Sequence, residues 1–289
     1  MAGAAGRTGS VSTVDPGRRR VLRVLTAAGI GVLAGGFAQG YLYERHRLSV
    51  TRATLPVSGL PAALDGLRVV MLSDLHLSPI VPREDLDEAV RLAMREQPDL
   101  IVLGGDYISF MDRAYAEPVA DVIAPLSAPN GIFAVLGNHD DDNEMPKALE
   151  RRGIEVLKDA RTRVTIRGER LDFIGLRFWT RATTDLARLL KGAGSTSILL
   201  AHDPRRLQQA TALNIPLMLS GHTHGGQIVL PGIGAIAAKK FPVVEGMARR
   251  ENTTVFVSRG IGTIGVPVRI NCPPEVAVLT LSRHVITPV

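Results

Sequence analysis

Five short apolar runs each close on residue types that bind cations, and this repetition constrains the fold of the chain more than any other feature. Residues 67–73 run into Asp74, Leu75 and His76, and residues 100–103 into Gly104, Gly105 and Asp106. Residues 132–136 run into Gly137, Asn138 and His139, residues 198–201 into His202, and residues 217–220 into Gly221, His222, Thr223 and His224. None alternates strictly, as expected of strands covered on both faces. Helical periodicity separates them over 83–96, 145–152 and 184–191. Strand and helix therefore alternate, which predicts a layered α/β architecture with ligands gathered outside the carboxyl ends of the strands. Residues 163–167 and 171–174 suggest a hairpin around 168–170, and the tail adds strand-like pieces at 255–258 and 276–281. No internal repeat or second domain is evident.

Of seven histidines, five fall at those strand ends, while His46 and His284 lie outside the pattern and read as ordinary surface residues. One histidine or aspartate after a strand is commonly a loop residue or a helix cap. Five histidines beside Asp74, Asp106 and Asn138 at one rim are different. They would repel and desolvate one another unless cations paired them. The single cysteine, Cys272, excludes a disulfide framework and a multi-cysteine zinc site, and reads as a small buried hydrophobe.

Charge separates the first fifty residues from the rest. Residues 1–52 carry eight arginines against Asp15 and Glu44, whereas the remainder holds 26 basic and 26 acidic residues. The formal net charge of +6 thus sits in the N-terminal segment, and a neutral body gives no basis for expecting a nucleic-acid partner. Residues 1–23 read as a basic n-region with a small, polar, disordered lead, 24–43 as an apolar signal or membrane-anchor helix, and 44–66 as a connecting segment. The cluster Arg18, Arg19, Arg20 ahead of a Gly/Ala-rich apolar stretch resembles a twin-arginine export signal. An uncleaved anchor is the rival reading, and both keep the arginines in the cytoplasm and the body outside.

The blocks D-x-H at 74–76, G-D at 105–106, G-N-H-D at 137–140, His202 and G-H-T-H at 221–224, in this order, resemble the calcineurin-like metallophosphoesterase superfamily. Gly225 to Gln227, Ser258 to Gly260 and Pro273 to Glu275 are similar to its bacterial exported or membrane-associated subgroup, which includes phosphodiesterases and hydrolases of UDP-diacylglucosamine. The resemblance implies a β-sandwich flanked by helices over 67–289, and a phosphoester substrate, lipid-linked or from the cell wall. It also implies two divalent transition-metal ions, Mn, Fe, Zn or Co with Mn favoured, because the donors include no thiolate. Asp106 would bridge the ions, with Asp74, His76 and His224 completing one and Asn138, His202 and His222 the other. A bridging hydroxide would attack phosphorus while His139 acts as general acid. Arg205, Arg259 and Arg269 are candidates to hold phosphoryl oxygens.

Two departures from relatives stand out. Ser109 occupies the position from which many relatives orient the acid histidine with an acidic or amide side chain. Tyr107 is displaced from the position a tyrosinate-iron centre requires. Asp140, Asp141 and Asp142 read as caps of the following helix, and the apolar stretch 228–247 as a lipid-facing lip or a loop packed on the core. The rival functions are a metal-stabilised binding module without turnover and, among hydrolases, a nuclease.

Overall fold

A computed structural model describes residues 16–284 apart from Ser195 and Ile236. Of the expected polar lead over residues 1–17, residues 1–15 lie outside the described residues, and Pro16 and Gly17 open a helix. In chain order the elements are α1 (Pro16–Leu42), β1 (Ser49–Pro56), β2 (Arg68–Leu72), α2 (Arg83–Arg95), β3 (Leu100–Leu103), α3 (Ala116–Ile123), β4 (Ile132–Ala134), α4 (Glu144–Glu150), β5 (Glu155–Val156), β6 (Ala160–Ile166) and β7 (Glu169–Leu176). They continue with α5 (Thr183–Leu190), β8 (Ser197–Ala201), α6 (Leu207–Ala212), β9 (Leu217–Ser220), β10 (Val229–Leu230), β11 (Gly234–Ala235), β12 (Gly246–Arg250), β13 (Thr253–Val257) and β14 (Glu275–Ser282).

Among the described residues these strands form two six-stranded sheets, ordered β1-β14-β2-β3-β4-β5 and β12-β13-β9-β8-β7-β6. Their centres are parallel: β2 pairs β3, β3 pairs β4, β7 pairs β8 and β8 pairs β9. Alternation along each buried strand builds the layers. Val69, Met71, Leu100 and Val102 meet Leu171, Ile198, Leu200 and Leu219 between the sheets, where Phe133 stacks on Phe173 with ring centroids 4.3 Å apart. Val70, Leu72, Ile101 and Leu103 turn the other way onto α2, α3 and α4 through Leu86, Val119 and Leu149. Ile174, Leu199 and Met218 turn onto Leu186 of α5 and Leu207 of α6. This mixed α/β fold, helices outside and sheets within, is the expected layered sandwich.

Several local expectations are corrected. Residues 44–66, read as a connection, contain β1, which pairs in parallel with β14 from Ser49↔Glu275 to Pro56↔Ser282. Its sequence hides it because an edge strand is half solvated, and only Leu55 and Pro56 are buried. The hairpin turn lies at Arg167 and Gly168 instead of 168–170, since Ile166 pairs with Glu169. Both turn residues have positive φ, 52° and 83°, as a two-residue turn matching strand twist requires. Helix α1 begins at Pro16, ahead of the expected 24, because proline suits the first helical turn and the arginines continue the helix. The helical stretch Gly17–His46 contains a window apolar and long enough to cross a membrane, by length and composition.

Candidate metal centre

Because β2, β3, β4, β8 and β9 run parallel within their sheets, the segments after them converge at one end of the sandwich. The structure brings together there every histidine, aspartate and asparagine that the five runs close on. Ligand atoms of Asp74, His76 and His224 lie within 4.8 Å of one another, as do those of Asp106, His202 and His222. The two groups adjoin through one oxygen: Asp106 Oδ2 is 3.0 Å from His202 Nε2 and 3.5 Å from His76 Nε2. Asp74 Oδ1 stands 3.5 Å from His224 Nε2 and 3.8 Å from His202 Nε2. Asp74, His76, Asp106, His222 and His224 all hold φ between 51° and 74°, a region that side-chain-bearing residues occupy at a cost.

Burial decides the charge state of these side chains. Desolvation lowers the His76 pKa to about 4 and the His222 pKa to about 3, and pushes His224 well below the usual range. All three are neutral near pH 7, with lone pairs ready to bind a cation. Burial raises Asp74 to about 6 against the pull of His202. Desolvation also disfavours charge on Asp106 and His202, but their mutual attraction at 3.0 Å wins, holding Asp106 low and His202 high. The pair thereby keeps one proton where a cation would sit. His202 Nδ1 lies 2.7 Å from the Gly104 carbonyl, which fixes Nδ1 as a donor and leaves Nε2 toward the cluster.

The residues fit a pair of metal ions. Asn138 Oδ1 and His224 Nδ1 are buried with no hydrogen-bond partner, a costly state that a cation at Asn138 would relieve. Imidazole, carboxylate and amide oxygen without thiolate suit divalent transition metals.

His139 stands beside the first group, its ring centroid 5.1 Å from that of His76. Its Nδ1 accepts from the Phe110 amide at 3.2 Å, which leaves Nε2 as the ring's donor. A main-chain amide thus holds this ring, and Ser109 does not: its Oγ lies 3.4 Å from His76 Nδ1. Nothing in the sequence marks such a contact. Tyr107 is buried, donates to the Val135 carbonyl at 3.0 Å, and has its pKa raised well above the ordinary phenol value by burial; it is no tyrosinate ligand.

Of the three aspartates read as caps, only Asp141 serves, accepting from the amides of Asn143 (3.0 Å) and Glu144 (2.8 Å). Asp140 turns inward and accepts from the amides of Asp106, Tyr107 and Gly137 at 2.7, 2.7 and 2.8 Å, so it shapes the loop that presents Asp106. Asp142 pairs with Arg177.

The arginines separate. Arg269 is fully buried and its guanidinium donates to the carbonyls of Cys272, Arg259, Gly260 and Gly262. It holds a loop and has no face for substrate, which corrects the expected role. Arg259 pairs with Glu275 at 3.0 Å and donates to Ser49 and Thr51, so its charge is also spent on the fold. Arg205 remains at the rim, paired with Asp203 and lying over Phe241, 5.4 Å from the ring centroid. Phe241 meets His222 edge-on at 5.2 Å. Stretch 228–247 therefore contributes one wall of a hollow of about 230 Å³ that His222, His224, Lys240 and Phe241 line. His46, read as a plain surface residue, bonds Asp85 at 2.7 Å. Cys272 is free and buried, as expected.

A glycine inside the cluster gives a sharp test. A Cβ at Gly137 would overlap Asp106 Oδ1 and lie 2.7 Å from the Asp106 amide nitrogen. Gly137→Ala should therefore displace Asp106, lower stability by about 1–3 kcal/mol and reduce metal content below that of the wild-type chain. Thermal denaturation and elemental analysis check it, and unchanged metal content would show that the loop relaxes freely.

Comparison with known proteins gives a consistent answer. A Bacillus subtilis (strain 168) metallophosphoesterase, YkuE, is 32% identical over 265 residues, covering 88% of this chain and 93% of that one. The phosphodiesterase YaeI of Escherichia coli (strain K12) is 31% identical, covering 91% of this chain and 98% of its own. A transmembrane protein with metallophosphoesterase domain from Danio rerio is 33% identical over 81% of this chain, which spans 57% of that longer protein. The family model described as calcineurin-like phosphoesterase matches residues 67–226, the stretch that contributes every strand-end residue of the cluster, and the chain belongs to that family.

Proposed function

We propose that the chain is a dinuclear-metal phosphodiesterase, exported or anchored with its body outside the cytoplasm. The observation that carries this reading is Asp106 Oδ2 between two convergent groups of imidazoles, one of which also holds the Asp74 carboxylate. Two bound cations, manganese by preference, would neutralise the phosphate and lower the pKa of a water to near neutrality. Asp74, His76 and His224 would hold one and Asn138, His202 and His222 the other, with Asp106 between them. His139 would act as general acid toward the leaving oxygen from Nε2, its ring oriented by the contact between Nδ1 and the Phe110 amide. Asp140 holds the Asp106 loop so that its carboxylate need not reorganise, and Arg205 offers a positive edge to a phosphoryl oxygen beside His222. A substrate from the cell wall or a lipid-linked phosphoester satisfies this chemistry.

The test uses the full chain in detergent, because Glu44 accepts from the Cys272 amide at 2.7 Å and β1 belongs to the first sheet. Loaded with manganese, it should hydrolyse an artificial aryl phosphodiester, bind about two metals per chain, and lose its rate to a chelator. Full metal loading without turnover on phosphoesters would instead indicate the binding module.

Export should depend on the arginine pair. Lysine keeps the charge that orients an ordinary anchor but replaces poorly the paired guanidinium groups of a twin-arginine signal. Arg18, Arg19 and Arg20 changed together to Lys should leave folded, metal-loaded protein inside the cell. Protease added to spheroplasts should then degrade the wild-type body and spare the variant; equal degradation would leave a simple outward-facing anchor.

A further inference from the structure

The end of the apolar helix and the rim of the metal cleft meet at shared residues. At Gly40, near the end of α1, a Cβ would lie 2.5 Å from the Arg269 carbonyl oxygen and 2.7 Å from Val268 Cγ1, so the helix ends seated on the body. Beyond it, Arg45 donates to the carbonyls of Tyr41 (2.7 Å) and Ile80 (3.1 Å) and lies 4.5 Å above the Tyr41 ring. Tyr41 and Tyr43 are exposed. Aromatic residues with an adjoining cation at the end of an apolar helix mark the headgroup level of a bilayer, and the Arg45 bond sets Ile80 at that level.

From Ile80 the surface runs without interruption to the cluster. Ile80 and Thr263 line both a crevice beneath Arg45 and a cleft of about 300 Å³ shared with Phe110 and Ile264. Ile264 in turn borders the hollow lined by His222 and His224. On this path Ile80 (43%) and Phe110 (68%) stand exposed, as do Met111 (49%), next to Phe110 in the chain, and Val266 (47%), which lines an adjoining hollow with Ile264. Phe110 and Met111 do so with φ of 54° and 59°, a strained presentation of two large apolar side chains. An apolar run of this kind marks an interaction surface.

The geometry points to the bilayer as its occupant: Ile80, Phe110, Met111 and Val266 rest in the headgroup layer of the membrane that α1 enters, and the metal cleft opens at the lipid surface. The assignment rests on α1 as a retained membrane helix, and on the phosphodiesterase reading only for the reaction performed there.

The experiment places a fluorescent reporter at the rim. In the full, metal-loaded chain, Trp179→Phe removes the sole tryptophan, and Val266→Trp or Ile80→Trp then reports the rim. Arg170→Trp, beside the β6–β7 turn at the opposite end of the strands, is the control. Each is inserted into vesicles of phosphatidylcholine and phosphatidylglycerol with or without bromine on the acyl chains. A rim buried about 5–10 Å into the interface should lose about half of its emission or more to bromine, while Arg170→Trp stays unchanged. Two rim positions guard against a variant that fails to fold, which metal content reveals. Equal emission with and without bromine at both rim positions overturns the inference. So does a shift that follows protein density in the vesicle and ignores bromine, which would assign the rim to a second copy of the chain. Hydrolysis of a soluble aryl phosphodiester by the same vesicles separates the two readings. Turnover without quenching removes the seated rim alone, and quenching without turnover removes the phosphodiesterase alone.

Discussion

Asp106→Asn is expected to release both metals and lower turnover by about 10⁴-fold or more, which corresponds to roughly 5 kcal/mol of barrier. The reason is geometric. One carboxylate oxygen lies 3.0 Å from His202 Nε2 and 3.5 Å from His76 Nε2, while the other accepts from the His139 amide at 2.8 Å. An amide side chain is neutral and has a single acceptor oxygen, so it serves one of these duties and presents a donor to the other. His202, whose positive form Asp106 sustains in the absence of metal, would lose its counter-charge while buried, a change that typically costs several kcal/mol. Elemental analysis and phosphodiester assays read the result, and two metals retained per chain at wild-type affinity would rule out Asp106 as the bridge.

His139→Ala should behave differently, keeping both metals and losing about 10² to 10⁴ in rate. Its side chain belongs to neither ligand group, and the bond it gives Asp106 comes from its backbone, which alanine preserves. The loss should shrink for aryl esters whose leaving groups depart readily, since these need little proton donation. A loss of the same size across leaving groups, or metal depletion matching that of Asp106→Asn, would remove His139 from the acid role.

The strands and their closing residues were legible because they depend on local signals: an apolar run, then a polar residue that no buried strand tolerates without purpose. Convergence of those residues followed from parallel order alone. Features fixed by partners distant in sequence were not legible. The Ser49↔Glu275 pairing of β1 leaves only two buried positions in that strand, too few to distinguish it from a linker. Arg269 and Arg205 look alike as isolated charges, yet one is enclosed by four carbonyls and the other stands at the rim. The bond from Phe110 to His139 comes from a main-chain amide, which every residue except proline carries, so no residue identity signals it. Asp140 was visible within its motif, but its side chain could as readily have capped α4 as turned inward.

Five residues of the metal cluster, Asp74, His76, Asp106, His222 and His224, keep a left-handed backbone without being glycine. At about 1 kcal/mol each, the strain amounts to about 5 kcal/mol, comparable with the whole stability of many domains. Glycine at any of the five would relax the backbone while discarding a donor atom. Donor placement and backbone ease therefore oppose each other at these five positions. A cation pair held by those donors would offset that strain, so the metal-free chain should be the less stable of the two forms.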